Sequence, residues 1–216
     1  MSETGTEIAA PPQAHPGMVL VPAGPFRFGR GKSSVEIGAY WIDRDPVTNR
    51  EYDEYVGKTG SARPRGWPPG PLPPAIADHP VVNVTYEEAL AYARSLGKEL
   101  PTPAQWEKAA RGPDGRKFPW GDSFDPRRTN TKEAAIGRTI PVSEMRDESP
   151  HGCRGMSGNV FHWTRGIYDA KKGTRELKGG SFRTYLGASA WSYEAPADQA
   201  NDTIGFRCVK VVPAGS

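Results

Sequence analysis

Cysteine is scarce in this 216-residue chain: Cys153 and Cys208 are its only two, too few to indicate a disulfide framework. No apolar run approaches roughly eighteen residues, so nothing reads as a membrane span. Lys and Arg number 28 against 25 acids, the signs are mixed, and no basic block forms. The net charge of +3 therefore carries no nucleic-acid footprint. The opening stretch, MSETGTEIAAPPQAHPG, has neither a basic start nor an apolar centre, and does not read as a signal peptide. These absences point to a cytoplasmic protein with no nucleic-acid and no membrane partner.

What is abundant is turn chemistry and aromatic bulk. Gly 25 and Pro 22 make loops dominate, while six Trp, eight Tyr and seven Phe supply large buried side chains. Residues 1–16 are polar and proline-rich and read as a disordered lead-in to a domain over 17–216. Met18–Gly29 reads as strand, turn and strand, and Val35–Ile42 as one further strand. Thr48 to Glu51 is a capping box with Val47 and Tyr52 as its staple, opening a helix that stops near Gly57 or Gly60. Ser61–Pro80 is a proline-rich loop pinned by Trp67. A second box, Thr85 to Glu88, opens a helix with Ala89, Leu90, Ala93 and Leu96 inward and Gly97 behind it. A third, Thr102 with Pro103 and Gln105, opens a helix to about Arg111. Beyond Phe118 only short strands and turns are expected, with Trp120, Trp163, Phe182 and Trp191 as anchors. Few helices and many short strands make this one α+β domain with little regular structure.

Several segments together resemble the formylglycine-generating enzyme family, or sulfatase-modifying factors. They are Met18–Gly29, DPVTNREYDEYV, the run from PVVNVTYEEAL to LPTPAQWEKAARG, FPWGDSFDPRRTN, GNVFHWT, KGGSF and IGFRCV. The resemblance covers nearly everything after residue 17 and implies an elaborated C-type-lectin-like fold. It does not imply one activity, because the family holds oxidases, sulfoxide synthases, inactive paralogues and ligand-binding proteins.

The departures narrow the choice. The oxidases carry two copper-binding cysteines shortly after the glycine pair, and soft thiolates suit that metal. Here the stretch after Phe182 holds no cysteine before Cys208, so no copper cofactor and no catalytic residue is expected. The four histidines, His15, His79, His151 and His162, show no paired spacing suited to iron. Family calcium sites would need side-chain ligands where this chain has Gly155 and His162, leaving the carbonyls of Gly158 and Val160. A second such site would use Asn130 and the carbonyl of Thr131, with Glu133 in place of an absent Asp. No metal is expected at either.

Lys178–Lys210 opens on a glycine pair, closes on Ile204–Arg207, and lacks helical or strand period between them. A long segment of this kind on a rigid base is where binding sits. The first reading is a catalytically silent binding domain. It offers Arg183, Tyr185, Trp191, Tyr193, Glu194 and Gln199 to a protein or peptide partner, with a glycan or small ligand as alternatives. If the stretch is strand, Trp191 and Tyr193 share one face, inward or outward. The resemblance extends to variable proteins of diversity-generating retroelements, whose ligand-binding surface occupies the same place. The second reading is an enzyme with relocated chemistry, on His151, Cys153 and Asp147 or on His162, Tyr168 and Asp169.

Overall fold

The computed structural model describes residues 15–212. In chain order its strands and helices are β1 (Met18–Val21), β2 (Gly24–Phe28), β3 (Ser33–Ile37), β4 (Tyr40–Asp43), α1 (Asn49–Thr59), α2 (Pro74–Ala77), α3 (Tyr86–Ser95) and α4 (Pro103–Arg111). After a stretch of three short 3-10 turns come β5 (Phe161–Asp169), β6 (Thr174–Lys178), β7 (Tyr193–Pro196), β8 (Ile204–Gly205) and β9 (Val209–Val211). One sheet has the order β1-β4-β9, a second is the β2-β3 ribbon, and a third runs β7-β6-β5-β8 with β8 parallel to β5. Among the described residues no helix is long and apolar enough to cross a membrane. Residues 1–14 of the expected lead-in lie outside the described residues. His15 is within them and meets Trp41 edge-on at 5.4 Å.

The three capping boxes form as the residue spacing requires. Thr48, Thr85 and Thr102 each accept from the backbone three residues on, and Glu51, Glu88 and Gln105 reach back. α1 runs past Gly57 and ends at Gly60, whose φ of 70° closes the last turn. Leu96 departs from expectation. It is the last residue of the α3 cap, beyond the helical face, and is 51% exposed. Val35–Ile42 also divides, into β3 and β4, with Gly38 and Ala39 between them, and the two strands belong to different sheets. The proline-rich stretch contains the single turn α2, with Pro74 at its start. Trp67 pins that stretch by donating its indole N–H to Asn49 Oδ1 at 3.1 Å.

The core is in two parts. Val47, Tyr52, Val84, Tyr92, Trp163 and Phe206 fill the space between α1, α3 and the four-stranded sheet. Val21, Tyr40, Ile42, Trp106, Met156 and Val209 fill the space beside the three-stranded sheet. Burying each such side chain contributes about 1.5–3 kcal/mol. α4 joins the parts and is buried on all sides from Gln105 to Arg111. Its polar residues survive there because each is partnered. Lys108 Nζ donates to Pro22 O and Gly24 O, and Arg111 donates to the carbonyls of Arg27, Gly29, Gly115 and Arg116.

Candidate functional site

The segment after β6 is fixed at its base. Gly179 and Gly180 take φ of 96° and 77°, and a Cβ on Gly180 would lie 3.2 Å from the Gly187 Cα. The two glycines let the chain fold back on itself. From there the backbone is tied at nearly every second residue. Phe182 N donates to Asn159 O, Ser181 N to Thr184 Oγ1, Leu186 N to Glu133 Oε1, and Ser189 N to Lys117 O. Ser157 Oγ donates to Gly187 O at 2.7 Å, and Lys132 N to Thr184 O at 2.9 Å. The far end is held where Asn83 N donates to Asn201 O and Phe161 N to Thr203 O.

The segment is not irregular throughout. Its middle is β7, paired with β6 so that Tyr193 faces Leu177 and Glu194 faces Glu176. Only four residues long and followed at once by loop, it is too short for its alternation to stand out.

The six expected binding residues fall in separate places. Arg183 is exposed, pairs with Asp202, and lies over the Phe182 ring at 5.0 Å. Tyr185 is 59% exposed, with Lys132 Nζ 4.6 Å from its ring centroid. Tyr193, Glu194 and Gln199 line one cavity of about 370 Å³ along β7. Tyr193 is half-buried there against Phe161, centroids 4.8 Å apart, and burial raises its pKa. Glu194 accepts from Thr174 Oγ1 at 2.8 Å. Trp191 precedes β7 in a turn closed by its own N–H on Ala188 O, and lines a different cavity of about 460 Å³. Trp191 and Tyr193 thus share no common face, and Tyr193 packs half-buried against the core. Trp163 and Phe182 are buried anchors as expected, whereas Trp120 is half-buried and stacks on Phe118 at 5.2 Å.

A further cavity, about 700 Å³, touches none of the six. It lies between the Pro126–Asp147 stretch and the Gly155–Asn159 loop, with Arg127, Arg128 and Arg146 in its lining. Asn130 and Glu133, also in its lining, were reachable from the sequence only through the calcium comparison.

Neither calcium place fits that ion. His162 is wholly buried and its Nδ1 accepts from the Trp106 indole at 2.9 Å, while the Asp147 carboxylate near Gly155 is spent on backbone N–H groups. At the second place Asn130 Oδ1 and Glu133 Oε2 are buried without a protein donor, but Glu133 is a single carboxylate and its other oxygen holds Leu186 N. Calcium takes six to eight oxygens with charge concentrated in carboxylates. Among the described residues no three His, Cys, Asp or Glu side chains converge as metal ligands would.

Nor are the relocated catalytic sets assembled. Cys153 is fully buried, and burial pushes its thiol up to about 11, away from the thiolate. Asp147 spends both oxygens on the N–H groups of Gly155 and Ser157, each at 2.7 Å. His162 lies opposite Lys178 and Asp169 opposite Thr174, so the bulged register still holds them roughly 13 Å apart at strand rise. Burial lowers the His162 pKa and holds its ring neutral. Cys208 is buried too, and its thiol is likewise raised by burial.

The family described as sulfatase-modifying factor enzyme 1-like domain matches residues 4–212. The chain is 31% identical to the uncharacterized protein YfmG of Bacillus subtilis, over 91% of this chain and 55% of that protein. It is 34% identical to the inactive C-alpha-formylglycine-generating enzyme 2 of Bos taurus, over 61% of this chain and 50% of that protein. It therefore spans about half the length of these two curated relatives. Formylglycine-generating enzymes are also among its relatives. Among solved structures, Treponema denticola variable protein 1 superposes with a TM-score of 0.73 at 18% identity, over 90% of this chain and 95% of that one. That likeness is one of fold, and the fold is the C-type-lectin-like α+β arrangement with few short helices.

Proposed function

The chain belongs to the sulfatase-modifying factor enzyme 1-like domain family, and within it we propose a catalytically silent binding domain that takes a protein or peptide partner through residues 183–203. One observation carries this reading. The 183–192 stretch is tied down along its backbone yet turns large side chains outward. Tyr185 is 59% and Leu186 40% exposed, and Leu186 is held at a φ of 54°. A branched side chain at positive φ is strained, and such strain persists where the surroundings over-determine it. A loop ordered in advance loses less entropy when a partner docks.

The buried thiols support silence: a nucleophile or soft-metal ligand must be a reachable thiolate, and neither cysteine is. Two free, buried cysteines also suit a cytoplasmic setting. The retroelement reading is supported by position, since the segment ends at Ile204–Arg207, the latter fully buried and bonded to Asp43 O and Arg44 O. A near-copy template repeat beside a reverse-transcriptase gene would establish it.

The test is affinity for a partner purified from the native host, measured on Arg183→Ala, Tyr185→Ala, Trp191→Ala and Tyr193→Ala. A contact residue should lose about 2 kcal/mol or more of binding with its melting temperature kept. Four folded variants with unchanged affinity would move the partner elsewhere. Rapid labelling of native Cys153 by a thiol reagent would revive the enzyme reading.

A further inference from the structure

Three segments meet around the cavity that holds Trp191: the turn of the β2–β3 ribbon, the turn from Lys117 to Phe124, and the stretch from Leu186 to Trp191. Two chemistries share its wall. Phe118, Phe124 and Trp191 give aromatic surface, and Arg30, Lys32 and Lys117 stand exposed around it. None of these three cations forms an ion pair among the described residues, although Arg116 beside them does, with Asp114. Asp122 is the acid of the lining, and its Oδ1 already accepts from Lys117 N at 2.8 Å.

The frame beneath is rigid. Arg111 is 2% exposed and donates to the carbonyls of Arg27 and Gly29, so the ribbon turn that carries Arg30 and Lys32 is anchored to α4. Ser189 N donates to Lys117 O at 3.1 Å and its hydroxyl to Met156 O at 3.2 Å, joining the other two walls. Unpaired cations on fixed turns around an aromatic floor make a site whose sign is set before any ligand arrives.

We infer that this cavity takes an acidic peptide segment, one aromatic or apolar residue seated between Phe118, Phe124 and Trp191 and flanking carboxylates met by Arg30, Lys32 and Lys117. The inference rests on the reading that the 183–203 face carries the partner, and it adds the partner's chemistry. Cations on two separate turns match a chain bearing several carboxylates better than one small anion. The aromatic floor supplies the anchor, and the rim supplies sign selectivity and association rate.

The experiment pans a phage-displayed library of linear peptides, about a dozen residues long, at about 150 mM salt, where long-range attraction is screened. Wild type is compared with the double variant Arg30→Glu, Lys117→Glu, whose fold is checked by circular dichroism. Enriched sequences should carry Asp or Glu around Trp, Phe or Leu. Their affinity should fall on the order of tenfold or more on the charge-reversed protein. They should bind Lys58→Ala, an exposed change on α1, unchanged. Absence of enrichment, enrichment without acidic bias, or equal binding to the charge-reversed protein would overturn the inference. The two readings separate on Trp191. Peptides that need Trp191 but tolerate charge reversal leave the 183–203 surface standing and remove only the acidic partner. Acidic peptides that survive Arg183→Ala, Tyr185→Ala and Trp191→Ala combined remove the surface itself.

Discussion

Glu107 and Lys178 form an ion pair of 2.9 Å in which neither side chain is exposed at all. It links α4 to the end of β6, one residue before the glycine pair that launches the 183–203 segment. The neighbouring residue Trp106 holds His162, which lies directly opposite Lys178 in the β5–β6 register. Two adjacent residues of one helix thus fix two facing residues of one hairpin. Lys178 Nζ also donates to Ser192 Oγ at 3.0 Å, so the same ammonium reaches the segment's far side.

Removing that ammonium leaves a buried carboxylate short of one partner, with Arg111 remaining. Lys178→Met should cost about 3–5 kcal/mol, whereas loss of the exposed Lys172 beside Glu194 should cost no more than about 1 kcal/mol. Denaturant midpoints of the two variants check this. Equal, small losses would mean that Arg111 and the Gly29 N–H balance Glu107 without the ammonium.

His162 makes stability pH-dependent in a defined direction. Burial, and secondly the nearby Arg207 charge, lower its pKa well below the ordinary 6.5. The unfolded chain then binds the proton more readily than the folded one. The contribution is fully present above pH 6.5 and is lost as pH falls from there toward the folded value. His162→Gln keeps an acceptor for the Trp106 indole and removes the titration. Wild type should therefore lose stability relative to this variant by up to about 1.4 kcal/mol per pH unit below 6.5. His79 and His151, whose pKa values burial also lowers, are common to both proteins and cancel. Parallel stability curves between pH 7 and pH 5 would mean that the folded protein takes up the His162 proton as readily as the unfolded chain.

Local chemistry was legible where a few consecutive residues decide it. All three capping boxes were readable from four-residue windows, and so was the end of α4 near Arg111, whereas the stop of α1 stayed open between Gly57 and Gly60. Aromatic anchors Trp163 and Phe182 were readable from the motifs around them. What escaped depends on residues far apart in the chain. β3 and β4 enter different sheets because each finds a separate partner, β2 for one and β1 with β9 for the other. β7 is four residues long and exists because β6 offers it an edge. The site was legible in the same measure. The segment and its two ends were marked in the sequence, but its division between two cavities follows from where Lys117, Phe118 and Phe124 come to lie.

Calcium should leave the fold unchanged. A ligand that binds only the native state adds on the order of 2.7 kcal/mol at a hundredfold excess over Kd. With Gly155 and His162 at one place and a single carboxylate, Glu133, at the other, that gain has no cage to come from. Thermal melts in millimolar calcium and in chelator should superimpose. An upward shift of several degrees that Glu133→Gln abolishes would show that Glu133 and Asn130 hold the ion.

Leu186 separates stability from binding most sharply. Its φ of 54° is a conformation that costs a residue with a Cβ roughly 1–2 kcal/mol. Glycine relieves that strain but adds freedom to the unfolded chain, worth about 0.4–1 kcal/mol in the other direction. Leu186→Gly should therefore melt at the wild-type temperature or slightly above it. The same change strips a side chain that is 40% exposed and lines the cavity beside Trp191. Partner affinity should fall while the fold holds, since the loop also becomes less ordered before binding. Leu186→Ala supplies the control, keeping the strain and losing most of the side chain, so its stability should not rise. If Leu186→Gly binds as tightly as wild type, the pre-ordered loop contributes nothing to recognition. The partner then contacts other parts of the 183–203 face.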